Sequence, residues 1–195
     1  NPADINMIEG KYVLRPRHPF VVGNEGVGEI IACGEFVTNL SVGDRVICPF
    51  QGKQLWQGFW QECVVFPAKY CIKVPDFIDS KQAAMLSINT LTAYLLLTLF
   101  VNLNPGDWII QNLANSALGR WVIYFSRQLG YRTVNVVRDK IYVGELMTLG
   151  ATSVCIAEEG FSKKIAQKGM CKLALNGVGG YSATEITKCL QDGGT

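Results

Sequence analysis

The chain has 195 residues, 49% hydrophobic and 17% charged, with a net charge of +2. This is a globular composition, long enough for a sizeable core in one or two domains, and it excludes disordered and collagen-like classes. So small a charge gives no reason to expect nucleic acid or an anionic membrane as partner.

Up to about residue 74 the chain is β-rich and divided by glycine. Residues 26–31, 45–48 and 62–66 read as strands, with turns at Gly34, Gly43-Asp44, Gly52 and Gly58. Val74-Pro75-Asp76 closes this part, and Ser80 reads as the N-cap of a helix starting at Lys81. A domain boundary is therefore expected between residues 79 and 80. From residue 82 to residue 106 no charge occurs. Seven Ser, Thr and Asn residues punctuate that stretch, so it reads as a buried helix rather than a membrane span.

After Pro105-Gly106-Asp107 strands and helices alternate. Strands are expected over 108–112, 133–137, 153–156 and 173–178, and helices over 118–129, 143–149, 162–168 and 182–190. Gly130 and Gly150 stand where left-handed helix stops belong. Repeated βα units predict an α/β fold with a parallel, doubly wound sheet. Four units are fewer than the six strands of a complete Rossmann sheet, so the second domain, residues 80–195, is expected to be truncated.

The chemistry-bearing stretch is the first βαβ unit. Ala114-Asn115-Ser116-Ala117-Leu118-Gly119 is a weak glycine fingerprint: small residues replace the first two glycines, and only Gly119 remains. Such a turn places a phosphate against a helix N-terminus. Taken alone it is as readily a plain strand-to-helix turn. About 20 residues on, where an NAD enzyme carries an acid for the ribose 2′-OH, stand Arg138-Asp139-Lys140. A guanidinium there suits a 2′-phosphate and points to NADPH, although two solvated charges on a surface turn would look the same.

Other chemistries find little support. Gly23-Asn24-Glu25-Gly26-Val27-Gly28 lacks a following helix, so it is no second fingerprint. The single histidine, His18, reads as a surface residue and supports neither zinc nor a Ser-His-Asp triad. No Tyr-x-x-x-Lys occurs. The seven cysteines include no pair closer than eight residues, hence no C-x-x-C motif, and they point to reduced thiols inside a cell. The Asn39-Leu40-Ser41 sequon then reads as a chance match.

Several segments together resemble one family. Asn1-Pro2-Ala3-Asp4-Ile5-Asn6, Gly10-Lys11-Tyr12, Gly23-Asn24-Glu25-Gly26, Asn89-Thr90-Leu91-Thr92-Ala93-Tyr94, Ile110-Gln111-Asn112 and Asn135-Val136-Val137-Arg138-Asp139-Lys140 look like the medium-chain dehydrogenase/reductases, and among them the mitochondrial 2-enoyl thioester reductases. Asn24 stands where the zinc alcohol dehydrogenases of that superfamily carry histidine, and their four-cysteine zinc lobe is absent.

The resemblance implies a GroES-like β-rich catalytic domain (partial) over residues 1–79, then the Rossmann domain, with the active site in the cleft between them. It implies NADPH-dependent reduction of trans-2-enoyl-CoA or acyl-carrier-protein thioesters in mitochondrial fatty acid synthesis, by a homodimer without metal, nucleic acid or membrane insertion. Carried over residue by residue, Tyr12 takes the place of the catalytic tyrosine and Asn89 that of a contact at the nicotinamide end. Asn115, Ser116, Ala117 and Leu118 match the pyrophosphate loop, and Arg138, Asp139 and Lys140 the 2′-phosphate site. The family's Ser-Gly-Val-Gly is Ser116-Ala117-Leu118-Gly119 here, its Asn-Cys-Val-Gly-Gly is Asn176-Gly177-Val178-Gly179-Gly180, and its proline after Asn89 is Thr90. The rival expectations are a quinone or alkenal reductase and a weakly active NADPH-binding paralogue.

Overall fold

The computed structural model describes residues 1–49, 58–166 and 169–195. The turn expected at Gly52 and the end of the helix expected over 162–168 lie outside the described residues. The chain divides into two compact units, Asn1–Ile88 and Asn89–Thr195.

The first unit opens on α1 (Pro2–Ile8), with proline and Asp4 in the first turn, where a missing N–H and a negative charge both suit a helix start. Strands β1 (Val27–Glu29), β2 (Arg45–Ile47) and β3 (Ile72–Lys73) pair antiparallel in that order. Alternation along β2 sends Val46, with Cys48, into one cluster beside Leu40, and Ile47 into another beside Val74 and Ala83. Gly58 fits because the chain crosses itself there: a Cβ would stand 2.1 Å from the Val21 carbonyl oxygen.

Two expectations need correction in this unit. Residues 62–66 pair with no described strand and expose Cys63, Val64 and Val65, whereas β3 forms at 72–73. β-branched residues suit a strand, but a ladder needs a partner at the right register. Helix α2 (Ser80–Ala83) is capped by Asp79, whose carboxylate accepts the Lys81 N–H at 2.8 Å. The Ser80 hydroxyl instead accepts from Arg45 at 3.0 Å.

A π-helical turn (Leu86–Thr90) runs from the end of the first unit into the second and leads into α3 (Leu91–Thr98). Ala93 and Leu97 of α3 are fully buried against Ile109 and Val122, while Leu99 and Phe100 beyond it are exposed, so burial holds for one face only. Among the described residues no helix is long and apolar enough to cross a membrane.

Strands β4 (Trp108–Gln111), β5 (Arg132–Val137), β6 (Ser153–Ile156) and β7 (Cys171–Leu175) form one parallel sheet in the order β6-β5-β4-β7. Helices α4 (Ala117–Gln128), α5 (Val143–Leu149) and α6 (Gly180–Thr187) connect or follow them. Ile110, Val134 and Val136 face a cluster with Ile186 of α6, while Ile109 and Val137 turn to the face that α3, α4 and α5 cover. Both faces are thus filled, as a doubly wound sheet requires. Gly130 and Gly150 take φ of +77° and +114° behind α4 and α5.

Over the described part of the helix expected at 162–168, residues 162–166, the chain forms only one 3-10 turn, Phe161–Lys164. The Ser162 N–H and hydroxyl both donate to the Glu185 carboxylate, tying the turn to α6.

Candidate active site

The sheet order makes β4 the switch point: its neighbours β5 and β7 lie on opposite sides, and at such a point a parallel sheet opens its ligand crevice outside the carboxyl ends of the strands. Except for Asn89, which lies in the π-helical turn, the residues expected to bind a dinucleotide come from the loops after β4 and β5. Asn115 and Ser116 are half-buried between β4 and α4, while Ala117 and Leu118 begin the helix. Ser116 is the N-cap; its hydroxyl accepts the Gly119 N–H at 3.0 Å. The Ala117 and Leu118 amides have no intrahelical partner, and with the helix dipole they present an anion-ready end.

Gly119 is fixed by contact. A Cβ there would lie 2.5 Å from the Ala114 carbonyl oxygen and 2.7 Å from its Cα, so only glycine lets α4 start this close to the loop. The methyl of Ala117, by contrast, is exposed on a residue with helical geometry and strains nothing. These small residues and free amides fit a pyrophosphate.

At the end of β5, Arg138, Asp139 and Lys140 are all exposed. Asp139 is engaged locally: its carboxylate accepts the Ile141 N–H at 2.9 Å and caps the following 3-10 turn. The side chains of Arg138 and Lys140 have no hydrogen bond or ion pair among the described residues, and the Lys140 carbonyl accepts the Val143 N–H within the turn. The Ala114 N–H donates to the Val136 carbonyl at 3.3 Å, which holds the β4 loop beside the strand that ends in this basic pair.

Beneath the loop lies a polar ladder that carried no site role in the sequence reading. Gln111 donates to the Gly119 carbonyl at 2.9 Å and to Asn135 at 2.8 Å; Asn135 donates to Thr133 and to the Ser153 carbonyl. All three side chains are buried. An unpaired buried amide costs about 1–3 kcal/mol, so the ladder fixes the start of α4 against three strands. The detectable signal was amides inside otherwise apolar strands. Leu113 is a second omission: it holds φ +54°, a conformation that costs most non-glycine residues about 1–2 kcal/mol.

In the first unit Tyr12 is half-buried, two residues beyond Gly10, whose φ of +66° turns the chain after α1. Its N–H donates to the Asn6 carbonyl at 3.1 Å, and its hydroxyl has no hydrogen-bond partner among the described residues. Asn24 is buried, and its N–H and amide both donate to the buried Asp4 carboxylate, at 2.9 and 2.7 Å. Glu25 accepts from the Ser87 hydroxyl at 3.2 Å and the Ile88 N–H at 3.0 Å.

Those bonds pin the chain just before Asn89, which is half-buried in the π-helical turn, a feature frequent at functional sites. Next to it, the buried Thr90 hydroxyl finds no partner among the described residues. His18 is exposed beside Phe20. Among the described residues no cluster of three or more His, Cys, Asp or Glu side chains could hold a metal. Burial, then the neighbouring Cys71 thiol, pushes Cys48 up to about 12; burial, then Cys189, does the same to Cys171. Neither is an activated nucleophile.

Residues 1–76 match the alcohol dehydrogenase GroES-like domain. The chain is 43% identical over 206 residues to the mitochondrial enoyl-acyl-carrier-protein reductase of Homo sapiens, covering 100% of this chain and 53% of that protein. It superposes on a complex of Etr1p with NADP and crotonyl-CoA with a TM-score of 0.87 at 32% identity, covering 100% of this chain and 62% of the other. It superposes on a quinone oxidoreductase from Pseudomonas syringae with a TM-score of 0.85 at 26% identity, covering 98% and 58%. The chain thus spans about half the length of the curated relatives it matches.

Proposed function

We propose, from its similarity to enoyl reductases over its whole length, that the chain is part of a medium-chain dehydrogenase/reductase and that the whole protein is an NADPH-dependent reductase of trans-2-enoyl thioesters, on CoA or acyl carrier protein. The observation that carries this reading is the crevice end of the second unit. There a serine-capped helix start with free amides shares one sheet edge with an unpartnered arginine and lysine. The relatives' names supply the substrate class and support a place in mitochondrial fatty acid synthesis.

In this mechanism the chain's residues divide the work. The Ala117 and Leu118 amides, with Asn115 and Ser116, bind the pyrophosphate. Arg138 and Lys140 hold the 2′-phosphate through charge-assisted bonds, while Asp139 keeps that turn in shape. Asn89 orients the nicotinamide end. Bound NADPH supplies a hydride for the β-carbon of the enoyl thioester. Negative charge then develops on the thioester oxygen, where hydrogen-bond donors would stabilise it. The Tyr12 hydroxyl, with no hydrogen-bond partner among the described residues, gives a proton to the α-carbon directly or through a water and regains one from solvent.

The likeness to a quinone oxidoreductase favours quinone or alkenal reduction as the second reading. The full-length protein, assayed for NADPH oxidation with crotonyl-CoA and with a quinone, separates the two. Saturable turnover of the thioester is expected. Turnover of quinone alone would establish the second reading, and binding without turnover a regulatory paralogue. We also assign the active form as a homodimer, which sedimentation equilibrium tests.

A further inference from the structure

We infer that Asn112 is a positioning residue for the dinucleotide: its carboxamide staples together the two loops that frame the crevice. Asn112 directly follows β4 and is 4% exposed. Its backbone N–H donates to the Leu175 carbonyl at 3.2 Å, carrying the β4–β7 pairing to the mouth of the crevice. Its side chain then crosses to the loop after β7. The Oδ1 accepts the Gly177 N–H at 2.7 Å, and the Nδ2 donates to Asn176 Oδ1 at 2.9 Å and to the Ser182 hydroxyl of α6 at 3.1 Å.

Asn176 Oδ1 is the hub on the far side. Besides Asn112 it accepts the Val178 N–H at 3.2 Å and the Gly179 N–H at 2.9 Å. Three consecutive loop amides are therefore held by two side-chain carbonyls, and both N–H groups of Asn112 are occupied. The loop also lies close to the β4 side: a Cβ on Gly177 would meet the Leu113 side chain at 3.3 Å. Exposed loop amides could be satisfied by water without this arrangement. What the amide pair adds is one fixed spacing between the β4–α4 loop and the β7–α6 loop, at the switch point where such sheets bind their ligands.

The inference rests on the proposed function and deepens it. A staple between loops sets the width of the crevice, not the recognition of the 2′-phosphate. It should therefore act on NADPH and NADH alike, unlike Arg138.

The test measures NADPH and NADH binding to the full-length protein by fluorescence titration, for the unmutated form, Asn112→Ala, Asn176→Ala and the double variant. Amide hydrogen exchange and steady-state kinetics accompany it. Asn176 is exposed, so Asn176→Ala keeps the test valid if Asn112→Ala fails to fold. Either substitution should raise both dissociation constants by a common factor of about ten, the scale of one or two lost hydrogen bonds. Exchange at Gly177 and Gly179 should quicken. The KM for NADPH should rise while kcat at saturating NADPH stays near normal, and the double variant should be no worse than the poorer single one.

Normal binding of both cofactors by the folded single variants, or losses that multiply in the double variant, would overturn the staple and leave the proposed function standing. Failure of the unmutated protein to bind either cofactor would overturn the proposed function, and this inference with it.

Discussion

Gly119→Ala is the substitution whose outcome follows most directly from the geometry. Two effects oppose each other. Alanine is the better helix former by about 1 kcal/mol, and position 119 lies inside α4. Against this, the new methyl would stand 2.5 Å from the Ala114 oxygen, 2.7 Å from its Cα and 2.8 Å from its carbonyl carbon. Ordinary contact begins near 3.4 Å, so helix or loop must give by roughly 0.9 Å. The opposing atoms are backbone, and the loop is held by the Ala114–Val136 bond while Gln111 holds the Gly119 carbonyl. Neither side yields cheaply.

Overpacking of this kind costs about 1–3 kcal/mol; set against the helix gain of about 1 kcal/mol, and with backbone on both sides of the clash, it leaves an expected net loss of up to about 2 kcal/mol. The same displacement moves the Ala117 and Leu118 amides, and NADPH affinity should fall about ten- to a hundredfold. Gly144→Ala is the control: it lies in α5 with nothing within 4 Å of the added methyl, so it should be neutral or stabilising by up to about 1 kcal/mol. Thermal melts and NADPH titrations of both variants make the comparison. Wild-type melting and binding by Gly119→Ala would refute the reasoning.

Three further outcomes are expected. Arg138→Ala should erase most of an NADPH preference of about ten- to a hundredfold in kcat/KM and leave NADH kinetics nearly unchanged; equal use of both cofactors by the unmutated enzyme would remove the assignment. Tyr12→Phe should lower kcat by ~10²–10⁴ with little change in melting temperature, because the hydroxyl has no internal bond to lose; a near-normal rate would take Tyr12 out of the mechanism. The Lys188 ammonium, then the Ser162 hydroxyl, holds the Glu185 carboxyl down to about 2 against an ordinary value of 4.5. Because its folded value is the depressed one, its stabilisation is present above about 4.5 and is lost as pH falls toward about 2. In denaturant melts Glu185→Gln should therefore lie below wild type at neutral pH, with the gap closing across that window.

The sequence declared the second unit more openly than the first. Apolar runs on both sides of Ile109 and Val134 meant a sheet covered on both faces, and Gly130 and Gly150 marked where α4 and α5 had to stop. A parallel sheet of βα units leaves little freedom once those signals are read. The first unit depends on pairing between distant short strands. Residues 62–66 had the right local composition and no partner, while β3 was too short to register as a pattern. The cap at Asp79 was misassigned to Ser80 because both residue types suit that position, and the choice was made by Arg45, which engages the serine.

At the site, Ser116, Gly119 and Arg138 could be picked out because helix starts, glycine contacts and charge have local signatures. The ladder of Gln111 and Asn135 left only the trace of amides inside apolar strands, and the staple of Asn112 and Asn176 and the strained Leu113 left none. Their meaning lies in partners as far as 70 residues away, or in a backbone angle that leucine does not advertise.

The claim that the protein passes a hydride to an enoyl thioester is tested most directly by isotope transfer. The full-length protein is given crotonyl-CoA and NADPH carrying deuterium at the transferable C4 position, and the acyl product is examined by mass spectrometry. The account predicts butyryl-CoA with one deuterium, on the β-carbon, and with the α-proton drawn from solvent. No saturated thioester, with the label passing only to an added quinone, would contradict it.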